Sequence, residues 1–335
     1  MSRRVKIITA LLIVVMALIA LSMPVHLSGR EGDASASTAC DRGCLRSVVD
    51  RYLAAMVAHD PSQAPIAKMV KFTENSEVLK IGDALWGTAS GIGSYKLYFA
   101  DPQAGQAGLE VTIRENGTPA ILFLRLRVVS GQITEAETLV HRNADDAKAL
   151  ENMGGPNPVW TQALDASQKT PRAEMLKMPN LYFSGILHSS GDSVPFDPKC
   201  NRILDGFQDT NNPTVSNGWF DKGSFKPDAM GIRENMNQGI WTYIHSIDPR
   251  RFSIVDEQMG IILAMVMYNH TGTVKFANVK GVGQIPMPAV AMHPSTVEAA
   301  EFFKIEAGKI RQIEGVTVAL PYGAKSGWDT PARGR

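Results

Sequence analysis

The chain has 335 residues, of which 44% are hydrophobic and 20% charged, and a formal net charge of +1. This length supports one to three domains, each with a full core, and the composition is that of a folded globular protein rather than a disordered one. A near-neutral charge with no basic patch interleaved with aromatics excludes an electrostatically driven nucleic-acid partner.

Arg3, Arg4 and Lys6 precede an uncharged apolar run, Ile7–Met23. These are the n-region and h-region of an export signal, so a periplasmic or secreted protein is expected. The run is long for a signal peptide and short for a membrane span, which leaves a cleaved signal or a membrane tether through residues 7–23. Small, polar residues 29–38 read as a spacer, so residues 1–39 form signal or anchor plus spacer. In an oxidising compartment the three cysteines imply one disulfide and one free thiol. Cys40 and Cys44 are near enough to pair across the start of the first helix, with a link from either to Cys200 as the alternative.

The first helix is expected over Arg42–His59, where Leu45, Val48, Val49, Tyr52, Leu53 and Met56 form one apolar stripe that Pro61 closes. Val70–Lys80 has strand character around a turn at Glu74-Asn75-Ser76. Ile92–Phe99 is a short helix candidate. Gly108–Arg114 and Ala120–Val128 read as strands joined by Asn116-Gly117, and Ser130-Gly131 turns into a further strand, Ile133–Val140. Polar residues 143–160, with Gly154-Gly155-Pro156, read as linker.

The pattern then repeats. A helix is expected near Arg172–Ser189, a glycine- and asparagine-rich loop over Asp205–Asp228, and a helix over Arg233–Ile247. Hairpins pair Arg251–Val255 with Ile261–Asn269, and Val297–Ile305 with Ile310–Leu320. A helix leading into strands, with a glycine turn before the last one, thus occurs twice, and such self-similarity fixes the architecture. The second copy is longer, the excess falling in Asp205–Asp228 and Thr271–Pro294, where long insertions serve as rims or lids. The expected boundaries are 40–142 for the first domain, 143–170 for the linker, 171–325 for the second domain and 326–335 for a tail.

Several signatures are missing. The seven histidines show no HxxxH or HExxH pair and the cysteines no CxxC, so no metal site is expected. There is no G-x-S-x-G elbow and no complete dinucleotide fingerprint, so no cofactor is expected either.

The string VVDRYLAAMVAHD, a following strand with an acidic residue, and a Gly-Lys or Gly-Gln turn before the last strand resemble the nuclear transport factor 2-like superfamily, which includes ketosteroid isomerase and the SnoaL-type cyclases. CDRGCL, Lys71–Asn75, LWGT at Leu85–Thr88 and PYG…GW at Pro321–Trp328 are similar to an exported two-copy family of bacteria and fungi. The resemblance implies an α+β fold of two tandem cones, each a curved antiparallel sheet wrapped by helices around a pocket, packed as an internal pseudo-dimer, with further oligomerisation open. It places Tyr52 and Tyr182 at the helix tyrosine that donates to an oxyanion. Glu74, or Asn75, falls at the carboxylate in copy one, and Asn201 or Arg202, with Asp197 upstream, in copy two. Phe123 and Ala300 fall at the second donor, so neither copy keeps the isomerase set.

Copy two carries the denser polar set. Asp197, Arg202, Tyr182 and His245 are therefore the candidate catalytic residues, with Tyr52, Glu74, Trp86, Tyr95, Trp219 and Tyr243 as candidate pocket residues. Competing structural readings are a core tyrosine at Tyr52 and an exposed turn at Glu74. The expected function is cofactor-free proton transfer (isomerisation, elimination or hydration) on a small or medium apolar molecule, with a non-catalytic ligand-binding or scaffold protein as the alternative.

Overall fold

The computed structural model describes residues 40–329. The expected signal or tether at residues 7–23 and the last six residues of the tail lie outside them. Among the described residues no helix is long and apolar enough to cross a membrane.

The protein is α+β, with two six-stranded sheets in two similar halves. The first half runs α1 (Arg42–Val57), β1 (Ile66–Glu74), β2 (Glu77–Leu79), α2 (Leu85–Thr88), β3 (Ala89–Asp101), β4 (Gln106–Glu115), β5 (Thr118–Val129) and β6 (Gln132–His141). Two short helices follow, α3 (Ala144–Asn152) and α4 (Pro158–Thr161). The second half runs α5 (Arg172–Met175), α6 (Met178–His188), β7 (Phe196–Leu204), β8 (Phe207–Gln208), α7 (Ile232–Met236), β9 (Ser246–Asp256), β10 (Ile261–His270), β11 (Phe276–Val279), β12 (Gly283–Pro286), β13 (Ser295–Glu306) and β14 (Lys309–Pro321). The strand orders are β2-β1-β6-β5-β4-β3 and β8-β7-β14-β13-β10-β9. In each sheet only the second contact, β1 with β6 and β7 with β14, is parallel.

Local chemistry repeats as well. Asn75 and Asp205 both hold a left-handed turn after the first strand, at φ of 50° and 51°, a conformation that Asn and Asp tolerate. Asn75 Oδ1 accepts from the Val140 N–H at 2.8 Å and Asp205 Oδ1 from the Thr317 N–H at 2.7 Å, pinning the final strand of each sheet in the same way. The α1 helix starts at Asp41, whose side chain accepts from the Cys44 N–H, and Cys40 and Cys44 form a disulfide beside that cap.

Three elements differ from the sequence reading. Ile92–Phe99 belongs to strand β3 rather than to a helix: Tyr95, Leu97 and Phe99 alternate inward, and Gly91, Gly93 and Ser94 weaken helix formation. The helix expected over Arg233–Ile247 stops at Met236, because turns follow and Ser246 already opens β9. The long helix at Arg172–Ser189 is divided into α5 and α6, with Pro179 in the first turn of α6, where a missing N–H costs nothing.

The two sheets pack through an apolar layer in which Phe99, Phe123 and Leu139 of the first half meet Leu263, Met265 and Phe302 of the second. Trp160 from the connecting segment lies against Phe302, so that segment is part of the packing. Phe302 lies tilted 5.0 Å from Phe99 and stacks 5.9 Å from Phe123. Around this layer the polar contacts are reciprocal. Arg172 of the second half pairs with Asp101 of the first at 2.5 Å, and Arg42 of the first half pairs with Asp256 of the second. The same aspartates accept the Val255 and Ala100 N–H groups at 3.0 and 3.1 Å. Exchange of equivalent contacts across one patch is the signature of an isologous interface.

Past β14 the chain crosses back to the first half. The Trp328 indole N–H donates to Thr73 Oγ1 at 2.9 Å, and its ring lies 4.2 Å from Lys71 Nζ and 4.6 Å from the Arg125 guanidinium. One hydrogen bond and two cation–π contacts contribute together about 2 kcal/mol. Trp328→Ala is therefore expected to lower unfolding free energy by that amount in urea titration, and a loss below about 0.5 kcal/mol would show that the segment rides on the sheet without holding it.

Candidate functional site

The first half holds no open counterpart to the expected pocket at the named residues. Tyr52 is fully buried on α1, accepts from the Trp86 indole N–H at 2.9 Å and meets its ring edge-on at 5.0 Å. Phe72, Leu122, Leu124 and Leu126 fill the same core. Glu74 is buried and satisfied: Oε2 accepts from the Leu85 N–H at 3.0 Å and Oε1 from Arg142 at 2.7 Å. It ties α2 and the end of β6 to β1. Tyr95 lies between the two sheets and donates to Glu314, away from either helix-covered face.

The second half differs at matched positions. Third from the end of the first strand, Phe72 on β1 becomes Arg202 on β7. Sixth from the end of the fifth strand, Leu124 on β5 becomes Glu301 on β13. Eighth along the fourth strand, Ile113 on β4 becomes Tyr268 on β10. Three apolar core positions have turned polar together, and there a cavity of about 530 Å³ opens. Tyr182, Arg202, Asp209, Tyr268, His270 and Glu301 all line it.

Arg202 is 2% exposed and held from three sides. Asp209 takes its Nε at 2.9 Å and its Nη2 at 2.8 Å, Tyr182 OH accepts from Nη1 at 3.2 Å, and the Trp241 ring centroid is 4.9 Å away. Burial pulls its pKa down, but Asp209 more than offsets this and keeps the guanidinium firmly charged. Because the Tyr182 oxygen accepts from Arg202, its own proton is left for an acceptor, and it bears on the Glu301 carboxylate. Burial keeps that phenol protonated.

Glu301 is 1% exposed. Its Oε1 accepts from Tyr268 OH, whereas its Oε2 has no hydrogen-bond partner. Burial raises its pKa to about 7, moderated by the Tyr268 hydroxyl, the Arg202 charge and the Tyr182 hydroxyl. His270 is buried too. Its Nε2 is 2.6 Å from Ser295 Oγ, its Nδ1 has no partner, and burial lowers its pKa, which favours the neutral ring.

The insertions roof this cavity. Residues 209–245 and 271–294 pack on each other through Phe220, Ile240, Ala277, Ile285 and Met287, a small core of their own. Trp219, Tyr243 and Asp228 reach the cavity from the first insertion and Val290 from the second. Trp219 stays 48% exposed at the rim, and burial pushes the Tyr243 hydroxyl to about 12.

Of the four candidate catalytic residues, the fold brings Tyr182 and Arg202 together and leaves two outside. Asp197 sits on a surface groove, where its carboxylate accepts from the Lys199 N–H at 2.8 Å. His245 is exposed on another groove beside Asp248 and Tyr322. The fold adds Glu301, Asp209, Tyr268 and His270 to the site. Cys200 is a buried free thiol that burial pushes to about 12, a packing residue rather than a nucleophile.

Fold and site define a two-half α+β protein with a polar cavity in its second half. A family model described as a domain of unknown function, DUF8021, matches residues 168–317, the segment that contains this cavity. No curated protein matches the chain. Among solved structures, a de novo designed protein with a curved β-sheet is 15% identical over 34% of this chain and 97% of its own, with a TM-score of 0.27. AclR, a putative hydroxylase from Streptomyces galilaeus, is 13% identical over 34% of this chain and 87% of its own, with a TM-score of 0.25.

Proposed function

We propose that the second half is a nuclear transport factor 2-like cone that binds a small or medium, mainly apolar molecule and moves a proton on it without a cofactor, while the first half is its structural partner. The observation that carries this reading is the unpartnered Glu301 Oε2 in the cavity. A carboxylate poised near neutrality is matched to general base and acid work. Its open oxygen accepts a proton from carbon next to a carbonyl, and the Tyr182 hydroxyl, backed by Arg202, donates to the oxyanion that forms. Glu301 then returns the proton to a second carbon, which leaves atoms and charge balanced. The expected setting is export, with the protein periplasmic or secreted.

Deuterium uptake by 2-tetralone, followed by proton NMR, tests this chemistry on a simple apolar ketone. The wild-type protein is expected to speed exchange above buffer, and Glu301→Gln to remove about a hundredfold or more of that acceleration. Equal rates for the two proteins would overturn the proton-transfer reading and favour a cavity that only binds.

A further inference from the structure

We infer that the ligand of this cavity carries a positive charge, an amine or quaternary ammonium on an apolar frame. The inference rests on the cavity being the binding site. Five carboxylates line it, Asp146, Asp205, Asp209, Asp228 and Glu301, against one arginine, Arg202. That arginine is already committed to Asp209, Tyr182 and Trp241. His141 lies between Asp146 and Asp205, with Nε2 2.7 Å from the first and Nδ1 3.6 Å from the second, so its charge is met as well. The neutral imidazole of His270 adds none.

Two acids make no direct ion pair, although the Arg202 charge acts on one of them, Glu301, from a distance. Asp228 is 5% exposed and takes its hydrogen bonds from the Asn217 N–H, at 2.9 Å, and Ser216 Oγ, at 3.1 Å, on a single oxygen. Glu301 keeps one oxygen without a close hydrogen-bond partner in the same cavity. Burial raises the pKa of both, as expected for desolvated carboxylates that have no directly paired counter-ion. Trp219, Tyr243 and Tyr268 line the same cavity, aromatic rings of the kind that attract a cation and also accept an apolar frame. An anionic ligand would meet the same carboxylates as repulsion, and a neutral one would leave both uncompensated.

Isothermal titration with three probes of one shape tests this: naphthylmethyl-trimethylammonium, 1-naphthylmethanol and 1-naphthaleneacetate. The cation is expected to bind at least tenfold tighter than the neutral alcohol and a further tenfold tighter than the acid. Asp228→Asn and Glu301→Gln are each expected to lower the cation-to-alcohol ratio threefold or more, two independent variants in case one folds poorly. Equal affinities, or preference for the acid, would overturn the charge inference while leaving the cavity reading intact. Ala319→Trp, which plugs a lining position on β14, is expected to abolish binding of the cation. Binding unchanged in that variant, or no binding of any probe to the wild type, would overturn both.

Discussion

Replacing Arg202 by methionine is expected to remove about 3–5 kcal/mol of stability, the effect of deleting one partner of a buried ion pair. Its guanidinium is 2% exposed and bonds Asp209 and Tyr182 while facing Trp241. Methionine approximates the volume of the stem but leaves the Asp209 carboxylate buried without its cation. Whole-domain stabilities are only about 5–15 kcal/mol, so the loss would be visible as a large shift in urea midpoint at unchanged slope. The double variant Arg202→Met, Asp209→Leu is expected to recover most of the loss, because two apolar groups of similar volume leave no orphan charge. The first half already shows the apolar solution, with Phe72 at the matching position. Asp197→Asn, on the surface groove, is expected to stay within about 0.5 kcal/mol of wild type. If Arg202→Met behaved like Asp197→Asn, the pair would not be buried as described and the site would lose its anchor.

How much of this was legible in the sequence depended on which signal was local. Asn116-Gly117 needs only its own backbone preference to turn a hairpin, and that turn stands where its residues predict it. The α1 stripe was likewise readable, because one helix face meets one core. Ile92–Phe99 misled because Tyr95 and Tyr98 are three apart, a helical spacing, while the strand buries Tyr95, Leu97 and Phe99 and is set by pairing with a distant segment. Glu301 was missed for a sharper reason. The family pattern points to Ala300, which faces the interface between the sheets, and in a strand the next residue faces the other way. Glu298 and Lys304 share the face of Ala300 and Phe302 while Glu301 lies on the opposite one, yet all three are buried, so polarity along the strand does not mark an exposed face. Only the matched apolar positions in the first half reveal that Glu301 replaces a leucine. Asp197 and His245 lie outside this cavity for the converse reason: adjacency in sequence to Arg202 or Tyr243 says nothing about facing the same space.

Glu301 also gives the second large expectation, in the pH dependence of stability. Its pKa rises from the ordinary 4.5 to about 7 in the folded protein because burial disfavours the charged form. Below pH 4.5 the carboxyl is protonated in both folded and unfolded chains and exerts no pull. Between 4.5 and 7 the unfolded chain releases the proton while the folded one retains it, so stability falls as pH rises through that window and stays lower above it. The integrated difference is about 3 kcal/mol. The groups facing Glu301 are Tyr182 from α6, Arg202 from β7, Asp209 after β8 and Tyr268 from β10, and Arg202 alone among them carries a positive charge. Glu298, also raised to about 7 by burial, gives a slope of the same sign that persists in a Glu301 variant. The informative quantity is therefore the wild-type minus Glu301→Gln difference in unfolding free energy, measured by urea titration from pH 4 to pH 8. That difference is expected to fall by about 3 kcal/mol, with the glutamine variant the more stable at pH 8. A cationic probe bound beside Glu301 should erase part of the fall, because a counter-ion favours the ionised form that burial opposes. Parallel profiles for the two proteins would mean that Glu301 is ionised at no cost, and a carboxylate without that cost is not held ready to take a proton near neutrality.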